Sequence, residues 1–193
     1  MPLRRILLWL LLALPAGLMV QGVASGTDLP MDVLHPSGEM AVRLMVLAML
    51  PGPLSEVFGV TPFFQNWLSI RRNLGVAAFG YAVLHLLFYV IDMGMLRAIL
   101  DELTLPAIWT GWLGLALLIP PAAISMDRAM RALGRRWLQI QRLVYPALLL
   151  SLLHWLLLDW AWQPALVHGL PLMVAWTLRG LHRRRVATKR SLA

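Results

Sequence analysis

The 193-residue chain contains no cysteine. This absence excludes disulfides, thiolate metal sites, iron–sulfur clusters and covalently attached c-type haem. Charged residues are scarce as well, since they make up 13% of the sequence, against about 25% in soluble globular domains. Together with a hydrophobic share of 60%, this scarcity excludes an ordinary soluble domain and indicates a membrane protein.

In place of charge the chain has long apolar runs. A helix needs about 20 such residues to cross the roughly 30 Å hydrocarbon core of a bilayer. The runs predict an all-α membrane protein, a single transmembrane domain over residues 1–193 folded as a bundle of six transmembrane helices. The predicted spans are 6–25, 39–58, 73–92, 105–125, 139–160 and 164–181.

The charges between the spans alternate sharply. All of the 17 Lys and Arg residues except Arg43 and Arg97 fall on one side of the predicted bundle. Most of the acidic residues fall on the other side: Asp28, Asp32, Glu39, Asp92, Asp101, Glu102 and Asp159. Basic loops face the cytoplasm in membrane proteins, so the pattern predicts that both termini are cytoplasmic.

The net charge of +8 has a membrane explanation. Much of it lies in the tail 182–193, which we interpret as a basic cytoplasmic segment that faces lipid headgroups. The predicted partner of this charge is therefore the lipid bilayer, and no nucleic-acid partner is expected.

The N-terminus allows two interpretations. Arg4 and Arg5, an apolar stretch and small residues near Ala24 and Ser25 also fit a cleaved signal peptide. Cleavage would leave five spans with the same orientation. We favour an uncleaved first span.

Two histidines lie inside apolar spans: His85 in "YAVLHLLFYV" and His154 in "LLLSLLHWLLL". At the helical rise per residue, His85 lies about 10 Å and His154 about 7–8 Å from the outer edge, on helices that run in parallel. An ionisable residue inside a span indicates a functional site by default. One interpretation is a pair of structural histidines in a non-redox scaffold or assembly protein. The other is bis-imidazole ligation of a non-covalent b-type haem, with the two histidines as its metal ligands.

Arg43 is the third candidate site residue. It lies about four residues inside the outer start of the second span, where an unpaired guanidinium is costly. Arg43 either binds a haem propionate or extends its side chain to the interface.

Three stretches carry a family resemblance: "SIRRNLGVAAFGYAVLHLLFYVIDMG", "RALGRRWLQIQRLVY" and "LLHW". Over residues 37–160 the sequence resembles the MsrQ family, formerly YedZ. The chain would be a divergent member of that family. These are haem-binding membrane subunits of the periplasmic methionine-sulfoxide reductase system, within the ferric-reductase-like transmembrane group.

The resemblance implies a function and a location. His85 and His154 match the family's haem ligands, and electrons would pass from membrane quinol through haem b to a periplasmic molybdenum-containing reductase subunit. The chain would be an electron-transfer subunit of the bacterial inner membrane rather than a stand-alone catalyst. A ferric-reductase-like subunit with another partner is the remaining alternative.

One departure from the family bears on the number of haems. Where the family carries a further histidine, this chain has Gln141, near the cytoplasmic side. The corresponding inner position of the third span is Arg71 or Arg72, whose guanidinium cannot donate a lone pair to iron. The sequence therefore predicts one haem, in the outer half.

Overall fold

The computed structural model describes residues 3–159 and 162–191, and every regular element among them is a helix. The ten helices are α1 (Leu3–Ala24), α2 (Pro30–Met49), α3 (Pro51–Phe58), α4 (Pro62–Met93), α5 (Leu96–Glu102), α6 (Pro106–Ala123), α7 (Asp127–Leu133), α8 (Arg135–Gln141), α9 (Val144–Asp159) and α10 (Trp162–Ser191).

Helix α4 begins well before the predicted third span. Thr61 accepts a hydrogen bond from the backbone N–H of Phe64 at 3.4 Å, and Pro62 occupies the first helical turn. A threonine cap followed by proline favours helix initiation. Because α4 therefore begins well before residue 73, Arg71 and Arg72 lie inside a helix and not in a loop.

The prolines inside the second and fourth predicted spans act differently from each other. Pro51 begins α3 directly after α2, so the stretch "MLPGPL" divides one apolar run into two successive helices. Pro120 and Pro121 lie at the end of α6, which stops at Ala123. Proline lacks the N–H that continues a helix, and here it helps to end the span.

Five units in the described part of the chain are long and apolar enough to cross a membrane: Leu3–Ala24, Pro30–Phe58, Pro62–Met93, Pro106–Ala123 and Arg135–Leu158. This confirms an all-α, multi-pass membrane protein. The sixth predicted span is not confirmed. Its helix, α10, is 30 residues long but carries His168, Pro171 and Arg179, which lower its apolar character. Residue 160, the end of predicted span five, and residues 192–193 of the predicted tail lie outside the described residues.

Four helical units form the centre of the bundle. The most extensive packing is of α2 along α4 and of α6 along α9, and smaller contacts join α4 to α6 and α2 to α9. This order places α4 and α9 diagonally opposite each other across the bundle. The peripheral helix α1 contacts α4 and α2, and α10 contacts α3, α2 and α9.

Helix α1 is attached to the bundle by one unusual contact. The Tyr81 hydroxyl donates to the carbonyl of Leu12 at 2.8 Å and accepts from the N–H of Ala16 at 3.0 Å. These two groups are four residues apart, the spacing of a helical hydrogen bond. Tyr81 therefore bridges a backbone pair of α1 from a neighbouring helix.

Ion pairs between different helices tie together the arginine-rich end of the bundle. Glu56 of α3 binds Arg179 at 2.6 Å and also binds Arg183, both on α10. Arg72 of α4 pairs with Asp127 of α7. The two acidic residues that fall among the basic loops in the sequence are thus both partnered by arginine. We call this the basic end, and the bundle half beside it the inner half.

Candidate functional site

The two intramembrane histidines face each other across the bundle. The ring centres of His85 on α4 and His154 on α9 are 6.1 Å apart, and the ring planes are nearly perpendicular at 84°. The sequence places them at similar depth, and the structure brings them together. Because their helices are diagonal neighbours, the rings meet in the middle of the four-helix core.

Both rings line a cavity of about 440 Å³ in the half of the bundle away from the basic end, which we call the outer half. This volume lies within the range of about 300–1,000 Å³ typical of small-molecule and cofactor sites. The wall is mainly apolar, with a few polar groups at the outer side. The residues that line it include Gly38, Glu39, Ala82, Glu102, Gly111 and Trp155.

The ring orientation of each histidine is set by a backbone carbonyl. His85 Nδ1 lies 2.9 Å from the carbonyl oxygen of Leu34, and His154 Nδ1 binds the carbonyl oxygen of Ala107. A carbonyl oxygen only accepts, so Nδ1 must carry the proton in both rings. Nε2 then holds the lone pair that can bind a metal. Metal-binding histidines commonly donate their other ring N–H to a backbone carbonyl in this way.

The distance between the two rings can be compared with that of two imidazoles bound to one metal ion. Among the residues described, no three His, Cys, Asp or Glu side chains gather in a way that could hold a metal ion alone. A metal–imidazole bond of about 2 Å on each side, with each ring centre about 1 Å behind its nitrogen, places two ring centres about 6 Å apart. The observed separation of the two ring centres, 6.1 Å, matches this value.

Arg43 lies beside this cavity rather than on its wall. Arg43 Nη2 is 2.5 Å from Glu39 Oε1, and Arg43 Nε donates to His168 Nε2 at 3.1 Å. Its side chain is 49% exposed. Arg43 is thus connected to the cavity through Glu39, and its propionate role stays a prediction.

Gln141 has structural partners at the inner half. Its side-chain N–H₂ donates to the carbonyl of Pro121 at 3.1 Å and lies 3.5 Å from Ser125 Oγ. These groups lie at or just beyond the C-terminal turn of α6, whose last carbonyls lack helical partners. The Gln141 side chain therefore ties α8 to the end of α6.

Several residues around the cavity carry no signal in the linear sequence. Glu39 and Glu102 line its outer side, and the Tyr89 hydroxyl donates to Glu102 Oε2 at 2.7 Å. The carbonyls of Leu34 and Ala107 are equally hidden, because any residue has a carbonyl. Their positions follow only from the packing of helices that are distant in sequence.

Comparison with known proteins agrees with this architecture. The family model "Ferric reductase like transmembrane component" matches residues 37–152. Proteins of Brucella ovis, Brucella canis and Brucella abortus, each described as "Protein-methionine-sulfoxide reductase heme-binding subunit MsrQ", are 34% identical over 168 residues. The alignment covers 86% of this chain and 74% of each relative.

A multi-pass bundle with two facing histidines in one half, matched by that model over most of its length, defines a ferric-reductase-like transmembrane protein. Within this class the chain is similar to the Brucella MsrQ proteins over 86% of its length. The chain belongs to the MsrQ family.

Proposed function

We propose that this chain is a haem b membrane subunit that passes electrons from membrane quinol to a periplasmic methionine-sulfoxide reductase. The observation that carries the proposal is the pair His85 and His154, with ring centres 6.1 Å apart in one cavity and both Nδ1 atoms bound to backbone carbonyls. A separation of 6.1 Å is also ordinary for an edge-to-face pair of structural rings, so the shared cavity and the matching Nδ1 hydrogen bonds are what favour a ligand pair over a scaffold. The relatives' descriptions as heme-binding subunits support the same assignment.

The chain's own residues supply ligand geometry, burial and exclusion of water. Haem carries single electrons when bound, and its potential depends on the axial ligands and on their hydrogen bonds. His85 and His154 would provide both axial nitrogens, and the backbone carbonyls hold the imidazoles in the competent tautomer. Trp155, which is 7% exposed, closes one side of the cavity with an apolar ring.

We propose a single haem, in the outer half. The inner half is filled by buried side chains of one continuous core, among them Met49, Leu74, Ala78 and Leu148. Gln141, at the position where the family resemblance expects a histidine, is engaged with α6. Close packing of this kind supports a single haem site rather than two.

The orientation supports a periplasmic electron acceptor. The histidine pair lies in the half of the bundle away from the arginine-rich end, and the positive-inside rule places that end in the cytoplasm. We propose that both termini are cytoplasmic, that α10 forms the sixth span of this inner-membrane protein, and that residues 37–160 form the ferric-reductase-like core ahead of the tail 182–193. The outer half would then face a molybdenum-containing reductase subunit in the periplasm, and membrane quinol would be the donor.

The first test is the absorption spectrum of the purified protein. We expect a low-spin, six-coordinate b-type spectrum that is lost in both His85→Ala and His154→Ala. His182→Ala, in the basic tail, is the matched control and should keep the spectrum. If the wild-type protein binds no haem, or if both single variants keep a normal six-coordinate spectrum, the ligand assignment is wrong.

A second test addresses donor and partner. In liposomes that contain the haem-loaded protein and a quinol, we expect the haem to be reduced, and reoxidised on addition of a periplasmic methionine-sulfoxide reductase and a sulfoxide substrate. His154→Ala protein is the control for direct quinol chemistry. Reduction by quinol without reoxidation by the reductase would favour a ferric-reductase-like subunit with another partner.

Arg43 is proposed to assist haem binding at a propionate. A cation beside a propionate stabilises the reduced, more negative form of the haem. Arg43→Gln removes that cation and should therefore lower the midpoint potential. Arg97→Gln, an exposed arginine on α5, is the control and should leave the potential unchanged. Equal potentials in Arg43→Gln and wild type would contradict this role.

A further inference from the structure

A short pattern occurs twice in the helices that support the histidines. Residues 34–38 read "LHPSG" in α2, and residues 107–111 read "AIWTG" in α6. Each pentapeptide ends in a hydroxyl residue followed by glycine. Ser37 and Thr110 are 0% and 1% exposed, and they are the buried polar side chains in the described ranges of the chain.

In the first pattern, three groups converge on His85. The carbonyl of Leu34 accepts from His85 Nδ1 at 2.9 Å and from the Ser37 hydroxyl at 2.7 Å. A Cβ atom placed on Gly38 would lie 3.0 Å from His85 Nδ1 and 3.1 Å from Cε1. The imidazole therefore lies in close contact with the α2 backbone at Gly38, and a larger side chain there would have to shift the ring.

The second pattern repeats this arrangement around His154. The carbonyl of Ala107 accepts from His154 Nδ1, and the Thr110 hydroxyl lies 2.8 Å from the carbonyl oxygens of both Pro106 and Ala107. A Cβ atom on Gly111 would lie 2.8 Å from both Nδ1 and Cε1 of the ring. In both helices the accepting carbonyl is four residues before the glycine and three before the hydroxyl.

We propose that Ser37–Gly38 and Thr110–Gly111 are a matched pair of positioning elements that hold His85 and His154 and set the angle between their rings. Each glycine lets the ring reach the helix backbone, and each hydroxyl shares the carbonyl that fixes the ring nitrogen. The inference rests on the proposed haem ligation for its consequence, but the ring positions themselves belong to the protein without haem.

The physical argument concerns the freedom of an imidazole. A histidine ring in a cavity can rotate about its side-chain bonds and exchange its two tautomers. A hydrogen bond at Nδ1 selects the tautomer, and close contact with a helix backbone selects the ring plane. Loss of such outer partners typically weakens metal binding by about 10–100-fold. Each ring has such a support on its own helix, and together the two supports hold the rings in the observed arrangement, with an angle of 84° between the ring planes.

The test uses Gly38→Ala and Gly111→Ala in the full-length protein, with two matched glycine controls. Gly114→Ala lies one turn from Gly111 on α6, where an added Cβ meets its nearest atom at 3.4 Å, an ordinary contact. Gly80→Ala lies on the helix of His85, where an added Cβ meets nothing within 4 Å. Each variant is purified, loaded with haemin and checked for monodispersity.

Three measurements are made on each variant. The rate of haem transfer to an apo-globin reports retention, and low-temperature electron paramagnetic resonance of the ferric protein reports the relative angle of the axial rings. Nitrogen nuclear magnetic resonance of haem-free protein with labelled histidine reports the tautomer of each ring. We expect Gly38→Ala and Gly111→Ala to lose haem about tenfold or more faster than wild type and to change both spectra, whereas both controls behave as wild type.

Removing the hydroxyls of Ser37 and Thr110 is a second, milder test that should leave the protein folded. Ser37→Ala and Thr110→Val should retain low-spin haem, because the Nδ1 hydrogen bond remains. The carbonyl no longer shared with a hydroxyl accepts more strongly from Nδ1–H, which makes the imidazole a better electron donor to iron. We therefore expect a lower midpoint potential in both variants, a change that a purely structural role would not produce.

The outcomes separate this inference from the proposed function. If wild-type protein binds no haem, the proposed function fails, and the haem-free nitrogen spectra still decide whether the glycines hold the rings. If wild-type protein binds haem and the Gly38 and Gly111 variants match the Gly80 and Gly114 controls in all three measurements, the positioning role is overturned. Should either glycine variant fail to fold, unchanged potentials in Ser37→Ala and Thr110→Val overturn it instead.

Discussion

The outer and inner halves of the four-helix core are made from the same helices but are filled differently. On α4, Ala82 lines the cavity, while Ala78, one turn towards the basic end, is 0% exposed. On α9, His154 opens onto the cavity, while Ala147 is likewise 0% exposed. In the outer half the facing helix surfaces line a cavity, whereas in the inner half they pack closely against each other.

The difference shows how stability and function share one helix. Leu74, Ala78, Tyr81 and His85 follow each other at spacings of four, three and four residues, so they lie along one face of α4. The first three pack in the core, and the last meets the cavity. A rigid, dense inner half can thus hold the ligand helices at a constant distance while the outer half stays open.

The largest expected effect comes from the same substitution placed in each half. Ala78→Leu should destabilise the protein by about 1–3 kcal/mol, because extra methylenes in a close-packed core force side chains apart. Ala82→Leu should change stability less, because it projects into the cavity, and should instead weaken haem retention. Thermal unfolding in detergent and haem transfer to an apo-globin measure the two effects. Equal destabilisation by both variants would mean that the halves are not packed differently.

A smaller effect is expected at the boundary of the halves, where Tyr81 bridges the backbone of α1. Tyr81→Phe removes the hydroxyl between Leu12 and Ala16 and should cost about 1 kcal/mol, a typical hydrogen-bond contribution. The haem spectrum should not change, since Tyr81 lies on the packed side of His85. Thermal unfolding and an absorption spectrum are the measurements. A changed spectrum would show that α1 communicates with the site.

The basic end contributes a still smaller, pH-dependent effect. The Arg72 guanidinium beside Asp127 lowers the pKa of that carboxyl from its ordinary value of 3.8. The ion pair therefore stabilises the folded protein fully above about pH 3.8, and this stabilisation is lost as the pH falls through the lowered pKa of Asp127. Wild type should unfold at a higher temperature than Asp127→Asn at about pH 6, and the difference should shrink towards about pH 3. A difference independent of pH would remove the ion pair as its cause.

The last substitution, Gln141→His, is expected to leave the haem content unchanged. Gln141→His places an imidazole at the inner half, yet haem per polypeptide should stay at one. The span-three partner position is still Arg71 or Arg72, and Arg72 is engaged with Asp127. A pyridine haemochrome assay against amino-acid analysis gives the ratio for the variant and for wild type. A haem-to-polypeptide ratio near two in wild-type protein would contradict the single-haem proposal. A ratio near two in Gln141→His only would show that the inner half can open to accept a second haem.

Much of the site could be predicted from the sequence because its chemistry is carried by rare residues. His85 and His154 stand out as ionisable groups in apolar runs, and counting residues along a helix gives their depth. Arg43 was equally visible, but its partners Glu39 and His168 were not, since His168 lies 125 positions away in the chain. The start of α4 is harder to predict, because Arg71 and Arg72 resemble the charged end of a span while the cap at Thr61 and Pro62 lies ten residues earlier.

The class of protein, its apolar helices, the separation of basic and acidic ends and the two candidate ligands can all be recognised in the sequence. These features are local, since each depends on composition or on spacing along one helix. Only the tertiary structure decided that α4 and α9 are diagonal, that Gln141 caps α6 and that Ser37–Gly38 and Thr110–Gly111 support the two rings. Those contacts join backbone groups of helices distant in sequence, and a backbone carbonyl has no residue type by which it could be recognised beforehand.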